Sequence, residues 1–106
     1  MWILRTAEDA EQAFSFRITP GSIKTIGRSS GAEFIVEAAL ISRLHCQLTA
    51  GATELEVVDL DSTNGTWVDG TKVRRAPLAP GGRLRVGRVE FALEPARARS
   101  ERPQPE

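Results

Sequence analysis

Ser62-Thr63-Asn64-Gly65-Thr66-Trp67-Val68-Asp69-Gly70-Thr71-Lys72-Val73 places two turn signals around a short alternating run. Asp69-Gly70 stands between Trp67-Val68 and Thr71-Lys72-Val73, and a Gly that tolerates positive φ makes this a two-residue hairpin signal. Asn64-Gly65 marks a second turn just upstream. Outward from here the same pattern repeats. Phe14-Ser15-Phe16-Arg17-Ile18, Leu55-Glu56-Val57, Leu84-Arg85-Val86 and Val89-Glu90-Phe91-Ala92-Leu93 alternate apolar and polar residues, and Leu44-His45-Cys46-Gln47-Leu48 does so loosely. Alternation with period two marks strands with one face buried and one wet. Pro20-Gly21 and Pro80-Gly81-Gly82 add turns between the runs. Only Ala7 to Ala13 leans toward a helix, and it lacks a clear apolar stripe. The pattern predicts an all-β sandwich of two packed, mostly antiparallel sheets with about ten or eleven short strands.

The chain has 106 residues, enough for one domain with one core. Residues 1–94 read as that domain. Residues 95–106, with three prolines and nothing to bury, read as a flexible Pro/Arg-rich tail or linker. Lys+Arg and Asp+Glu both number 14, so there is no basic excess of the kind that grips a nucleic-acid backbone. The single cysteine, Cys46, excludes an internal disulfide. No apolar run approaches the roughly 18 residues needed to cross a bilayer, and Met1-Trp2-Ile3-Leu4-Arg5 does not open like a signal peptide. These features predict a cytoplasmic monomer with no membrane or nucleic-acid partner.

Three loop-like segments carry polar residues suited to an anion. They are Gly27-Arg28, Ser42-Arg43-Leu44-His45 and Asp61-Ser62-Thr63-Asn64-Gly65-Thr66. Arg28 offers a planar fork of donors that matches phosphate oxygens in pairs. Ser42 adds a hydroxyl with loop N–H groups nearby. Thr63 adds a second hydroxyl and its own N–H. A phosphorylated side chain brings about −1.5 to −2 charges and three acceptor oxygens, which such a set satisfies.

Order and spacing of these elements resemble the forkhead-associated (FHA) domain family. The matching elements are Gly27-Arg28, Ser42-x-x-His45, Ser62-Thr63-Asn64-Gly65-Thr66, Asp69-Gly70 and Gly87-Arg88-Val89-Glu90-Phe91, across residues 23–93. The resemblance implies a phosphothreonine-dependent peptide-binding module that recruits partners phosphorylated by a Ser/Thr protein kinase, with no catalysis and no cofactor. It implies phosphopeptide contacts from Arg28, Ser42, Thr63 and Asn64, the amide of Asn64 holding the peptide backbone. Arg43 stands where the family often has a polar residue contacting phosphate or peptide. His45, Gly27 and Gly65 would support the binding loops. The loop before Ser42, Glu37-Ala38-Ala39-Leu40-Ile41, holds no cation beside Ser42. The family reads the peptide side chain three positions after the phosphothreonine with this loop, so an apolar residue is expected there over aspartate.

Other readings compete. Ser42, His45 and Asp59 make a nucleophile, base and orienter on paper, but no oxyanion hole accompanies them. Lone His45 beside Cys46 does not make a metal site, since adjacent strand residues face opposite ways. Asp59 and Asp61 are expected to close a turn. Trp67 and Phe91 are expected in the core, with Trp2 capping the sandwich. Gly82 departs from the family's usual Asp after Gly, in a turn away from the site. This keeps alive a structural scaffold of FHA fold that ignores phosphate. Thr6, followed by Ala7-Glu8-Asp9, is a further candidate: once phosphorylated, it would be a ligand for its own domain.

Overall fold

The computed structural model describes residues 1–7 and 10–95. Eleven strands form there: β1 (Trp2–Thr6), β2 (Ser15–Ile18), β3 (Ile23–Gly27), β4 (Phe34–Ile35), β5 (Cys46–Ala50), β6 (Leu55–Asp59), β7 (Thr66–Val68), β8 (Thr71–Val73), β9 (Arg75–Leu78), β10 (Arg83–Val86) and β11 (Val89–Pro95). One sheet runs in the order β2-β1-β11-β10-β7-β8 and the other β4-β3-β5-β6-β9. All the pairings are antiparallel except β3 with β4. The sandwich expected from period-two alternation is therefore present. The proposed tail from 96 onward lies outside the described residues, while Pro95 itself ends β11 opposite Trp2.

The alternation places Ile18, Leu48, Leu55, Val57, Leu84, Val86, Phe91 and Leu93 in one core between the sheets. Each fully buried side chain of this size contributes roughly 1.5–3 kcal/mol from apolar burial. The four phenylalanines close one side of it. Phe16 of edge strand β2 stacks on Phe34 of edge strand β4 at 4.4 Å and 6°. It also lies 5.9 Å from the rings of both Phe14 and Phe91. Aromatic pairs add about 0.5–1.5 kcal/mol beyond their area, so this cluster joins the two sheets where each has an edge. At the far end, Trp2 is buried and its Nε1 donates to Gly51 O at 3.1 Å. That bond ties β1 to the β5–β6 turn.

Asp69 and Gly70 have φ of 50° and 84°, the two positive values that a hairpin turn matched to strand twist requires. The Asp69 carboxylate also accepts the Arg83 N–H at 2.9 Å. A side chain at position 82 would meet Ala79 O and Leu78 Cδ1 at 2.9 Å. Glycine therefore fits there, and Asp69 already satisfies the neighbouring N–H.

The segment after Thr6, with its weak helical leaning, contains no helix in its described residues, Ala7 and 10–13, in keeping with the all-β expectation; Glu8 and Asp9 lie outside them. Two sequence expectations need correction. β5 begins at Cys46, so Leu44 and His45 belong to the preceding loop. Trp67 is half-buried on the outer face of β7, between the inward-facing Thr66 and Val68.

Phe16→Ala removes the ring that meets three others. It is expected to lower stability by about 3 kcal/mol, the low end for truncating a phenylalanine. Urea unfolding should show a lower midpoint with an unchanged slope.

Candidate functional site

Four connections meet at one end of the sandwich: the segment after β3, the β4–β5 loop, the β6–β7 loop and the β10–β11 turn. Antiparallel order brings these strand ends together, and specific bonds then lock them. Gly27 approaches the β4–β5 loop so closely that a Cβ would stand 2.0 Å from Arg43 O. No side chain fits there, which is why glycine precedes Arg28. The Arg28 N–H donates to Ser42 O at 3.0 Å and the Ser29 N–H to Arg43 O at 3.2 Å.

His45 is fully buried between two of the loops. Its Nδ1 accepts the Ser42 N–H at 3.0 Å. That contact requires a bare Nδ1, so Nε2 carries the proton and donates it to Gly65 O at 2.8 Å. Ser42 Oγ in turn accepts the Thr63 N–H at 3.0 Å. One imidazole and one hydroxyl thus bind the β4–β5 loop to the β6–β7 loop. Gly65 has φ of 90°, where a side chain is strained.

Asp59, at the end of β6, organises the second loop from below. It accepts the Ser62 N–H at 3.1 Å, the Ser62 hydroxyl, and the Thr66 hydroxyl at 2.7 Å. Burial works against its charge, but the bonds from Ser62 and Thr66 outweigh that and hold the carboxyl below its ordinary range. Asp61 follows with φ of 61° and turns the chain. Cys46 lies beneath, fully buried; burial, aided by the Asp59 charge, pushes its thiol up to about 12. It is a small core residue, not a nucleophile. Among the described residues no group of three His, Cys, Asp or Glu side chains could hold a metal.

Arg28, Ser42 and Thr63 form a ridge with a hollow on either side. One, of about 540 Å³, adds Ser29, Arg43, Leu44 and Asp61 to the ridge residues. It brings two guanidinium side chains to a group of hydroxyls. The other, of about 630 Å³, is lined beyond the ridge by Glu37, Ala38, Ala39, Leu40, Ile41 and Asn64. Arg28 Nε donates to Ile41 O at 2.9 Å, so one edge of the guanidinium is anchored and its terminal nitrogens point outward. Asn64 Nδ2 donates to Leu40 O at 3.3 Å, leaving its carbonyl oxygen available. A third hollow, of about 590 Å³ against β1 and β11, contains none of the ridge residues and shares only Ala38 and Ala39 with the second.

The structure therefore gathers all five candidate contact residues at one end, Arg28, Ser42, Arg43, Thr63 and Asn64, around the buried bracing by His45. It also reassigns two donors. The Ser42 and Thr63 N–H groups, expected to face a ligand, are consumed in holding the loops. The roles of Leu40 and Ser29 went unseen in the sequence. Leu40 adopts φ of 71°, unusual for a leucine, and its carbonyl receives the Asn64 amide. Ser29 Oγ donates to Arg43 O at 3.2 Å and accepts the Gly31 N–H at 3.2 Å. No turn signal marked Leu40, whereas Ser29 opens Ser29-Ser30-Gly31, a turn signal in its own right. Thr6 does not fit the role of a self-ligand: it is buried in β1, and its hydroxyl accepts the Phe14 N–H at 2.9 Å.

The family model for the FHA domain matches residues 24–87. This chain belongs to the FHA domain family. It is 36% identical over 81 residues to the FHA domain-containing protein FhaB of Mycolicibacterium smegmatis, covering 74% of this chain and 52% of FhaB. It is 31% identical over 72 residues to the glycogen accumulation regulator GarA of Mycobacterium tuberculosis, covering 68% and 44%. The chain spans about half the length of the curated relatives it matches. The FHA domain of the CT664 protein from Chlamydia trachomatis superposes with TM-score 0.81 at 24% identity, covering 89% of this chain and 96% of that one. At that identity the likeness speaks to the fold. The FhaA FHA domain, solved in complex with the intracellular domain of Rv3910, superposes with TM-score 0.77 at 28% identity, covering 89% and 100%.

Because the Asp59 carboxyl is held below its ordinary value, its contribution to stability is complete above the unfolded-state value of about 4 and fades as pH falls through its lower folded value. Asp59→Asn should accordingly lower Tm at neutral pH. The gap to wild type should close as the buffer is taken below about pH 4. Thermal melts of both proteins across that range check this.

Proposed function

We propose that this FHA domain captures a phosphothreonine-bearing segment of a partner protein across the ridge of Arg28, Ser42 and Thr63. The observation that carries the reading is the convergence of two guanidinium side chains and a group of hydroxyls on one hollow, with Asp61 also in its lining, next to a second that adds Ala38, Ala39, Leu40 and Ile41. The outward fork of Arg28 meets phosphate oxygens in pairs. The hydroxyl hydrogens of Ser42 and Thr63 supply further donors, and Arg43 adds a second cation. The free carbonyl of Asn64 accepts a peptide N–H and sets the register of the bound strand. Support from relatives is of the same kind. A solved FHA domain studied for phosphothreonine-dependent interactions superposes with TM-score 0.74 at 28% identity.

The FHA domain is a binding module, and this reading assigns the chain no catalysis. Ser42, the nucleophile of the paper triad, gives its N–H to His45 and its hydroxyl oxygen to the Thr63 N–H. His45 is spent on Ser42 and Gly65, leaving no base aimed at a hydroxyl. A Ser/Thr kinase would write the ligand and a phosphatase remove it, in the cytoplasm, with the domain acting as a monomer. Among the described residues no helix is long and apolar enough to cross a membrane. The hollow at Ala38, Ala39, Leu40 and Ile41 suits an apolar peptide side chain three positions after the phosphothreonine. The Glu37 carboxylate in its lining disfavours aspartate there.

Calorimetric titration with a phosphothreonine peptide and its unphosphorylated twin tests the reading. Charge-assisted bonds contribute roughly 1.5–3 kcal/mol each. Arg28→Ala should therefore weaken binding by about ten- to a hundredfold while the fold survives. Equal binding of both peptides would leave the domain as a phosphate-independent scaffold. In a peptide array varied at the third position after the phosphothreonine, aliphatic residues should outrank aspartate.

A further inference from the structure

Trp67 lies outside the core, on the outer face of the six-stranded sheet, in a row that runs directly across the strands. Lys72 of β8 faces it on one side and Arg85 of β10 on the other. The Arg85 guanidinium stands 4.5 Å from the Trp67 ring centroid, a cation–π contact that favours this placement of the indole. Glu90 of β11 is next in the row, opposite Arg85, but its carboxylate pairs with Arg83 at 3.7 Å. Among the described residues neither Lys72 nor Arg85 has a carboxylate within ion-pair distance. The result is a half-exposed tryptophan flanked by two cations with no carboxylate partner among the described residues. Tryptophan and arginine dominate the energetics of interfaces when a partner covers them.

This row is continuous with the candidate peptide site. The Lys72 Cε stands 2.8 Å, and the Trp67 Nε1 3.3 Å, from where a Cβ on Gly65 would be. Gly65 directly follows Asn64, the residue proposed to hold the peptide backbone. An extended chain advances about 3.3–3.6 Å per residue. A ligand leaving the loops past Asn64 therefore reaches Lys72 and Trp67 within a few residues. The charge of the row then selects what it meets.

We propose that Lys72, Trp67 and Arg85 form a second subsite that takes an acidic stretch of the same phosphorylated chain, a few residues from the phosphothreonine. The proposal rests on the phosphothreonine reading given above. The phosphate would fix the ligand on the ridge, and the acidic flank would lie along the outer sheet with carboxylates on Lys72 and Arg85 and aliphatic or backbone surface on the indole. The two contacts lie on one ligand, so the second needs no large affinity of its own.

Three phosphothreonine peptides with one core sequence test this. One carries a glutamate-rich extension before the core, one the same extension after it, and one a Gly-Ser extension. Exposed ion pairs contribute up to about 1 kcal/mol each. One acidic extension should therefore bind about fivefold tighter than the Gly-Ser peptide at low salt, and the gain should shrink as salt rises. The same extension should change Trp67 fluorescence, read as the signal lost in Trp67→Phe with the buried Trp2 as background. In Lys72→Glu/Arg85→Glu the gain should vanish while the Gly-Ser peptide binds within twofold of wild type. If that variant unfolds, Lys72→Gln/Arg85→Gln, which keeps the side-chain stems, should lose the gain in its place. No gain from either acidic extension, or a gain that survives these substitutions, overturns the proposal alone. Failure of the Gly-Ser phosphopeptide to bind at all overturns the phosphothreonine reading and this proposal with it.

Discussion

The buried imidazole of His45 is the constraint on which the binding end depends. It accepts from Ser42 on one loop and donates to Gly65 on the other, and only the tautomer with its proton on Nε2 can do both. A buried polar ring left half-satisfied costs roughly 1–3 kcal/mol, so the two loops stay where both bonds are made. Ser42 then extends the link by accepting the Thr63 N–H. The distance between the ridge hydroxyls is thereby set from inside the protein, before any ligand arrives. Binding that needs no loop ordering keeps more of its gross interaction energy.

What His45 holds, the sheets must first bring together. Antiparallel order returns β3, β6 and β10 to one end, while Trp2 and the β5–β6 turn close the other. Gly27 allows the final approach, since its missing side chain lets Arg43 O occupy the space. The strain this end carries is local: Leu40 and Asp61 both adopt positive φ. Such conformations cost of order 1–3 kcal/mol and persist because the Asn64 amide and the Asp59 network over-determine them. A rigid β scaffold with its least comfortable residues at the ligand end is a common way to present side chains.

Much of this was legible in the sequence, and the reasons differ by level. Alternating runs such as Phe14 to Ile18 identified strands and their inward faces, because period two leaves a residue no choice of side. Asp69-Gly70 identified its hairpin because few other residues accept two positive φ values in succession. The loop residues Arg28, Ser42, Thr63 and Asn64 emerged through family resemblance, since no local rule says that loops so far apart in sequence will meet. Trp67 was misread because bulk suggested burial, although the Thr66-Trp67-Val68 alternation already put it on the opposite face from Val68. The spent N–H groups of Ser42 and Thr63 were invisible, because which donor is consumed depends on a histidine and a hydroxyl reaching across loops. Leu40 gave no sign either: its strained backbone is imposed by what packs around it.

That consumption of donors separates structure from recognition. The backbone N–H groups of Arg28, Ser29, Ser42 and Thr63, with the His45 ring, all bond within the protein. What remains for an anion is carried by side-chain tips: the terminal nitrogens of Arg28, the hydroxyl hydrogens of Ser42 and Thr63, and the guanidinium of Arg43. Truncating Arg28 removes the fork and its Nε bond to Ile41 O, yet leaves the Arg28 N–H on Ser42 O and the His45 bridge intact. Truncating His45 spares every candidate ligand contact and still releases the frame that aims them. A chain with no net charge can in this way concentrate cations where they are wanted. Arg28, Ser42 and Asn64 each spend one polar atom on a neighbouring loop and keep another for a ligand, while His45 and Asp59 only brace.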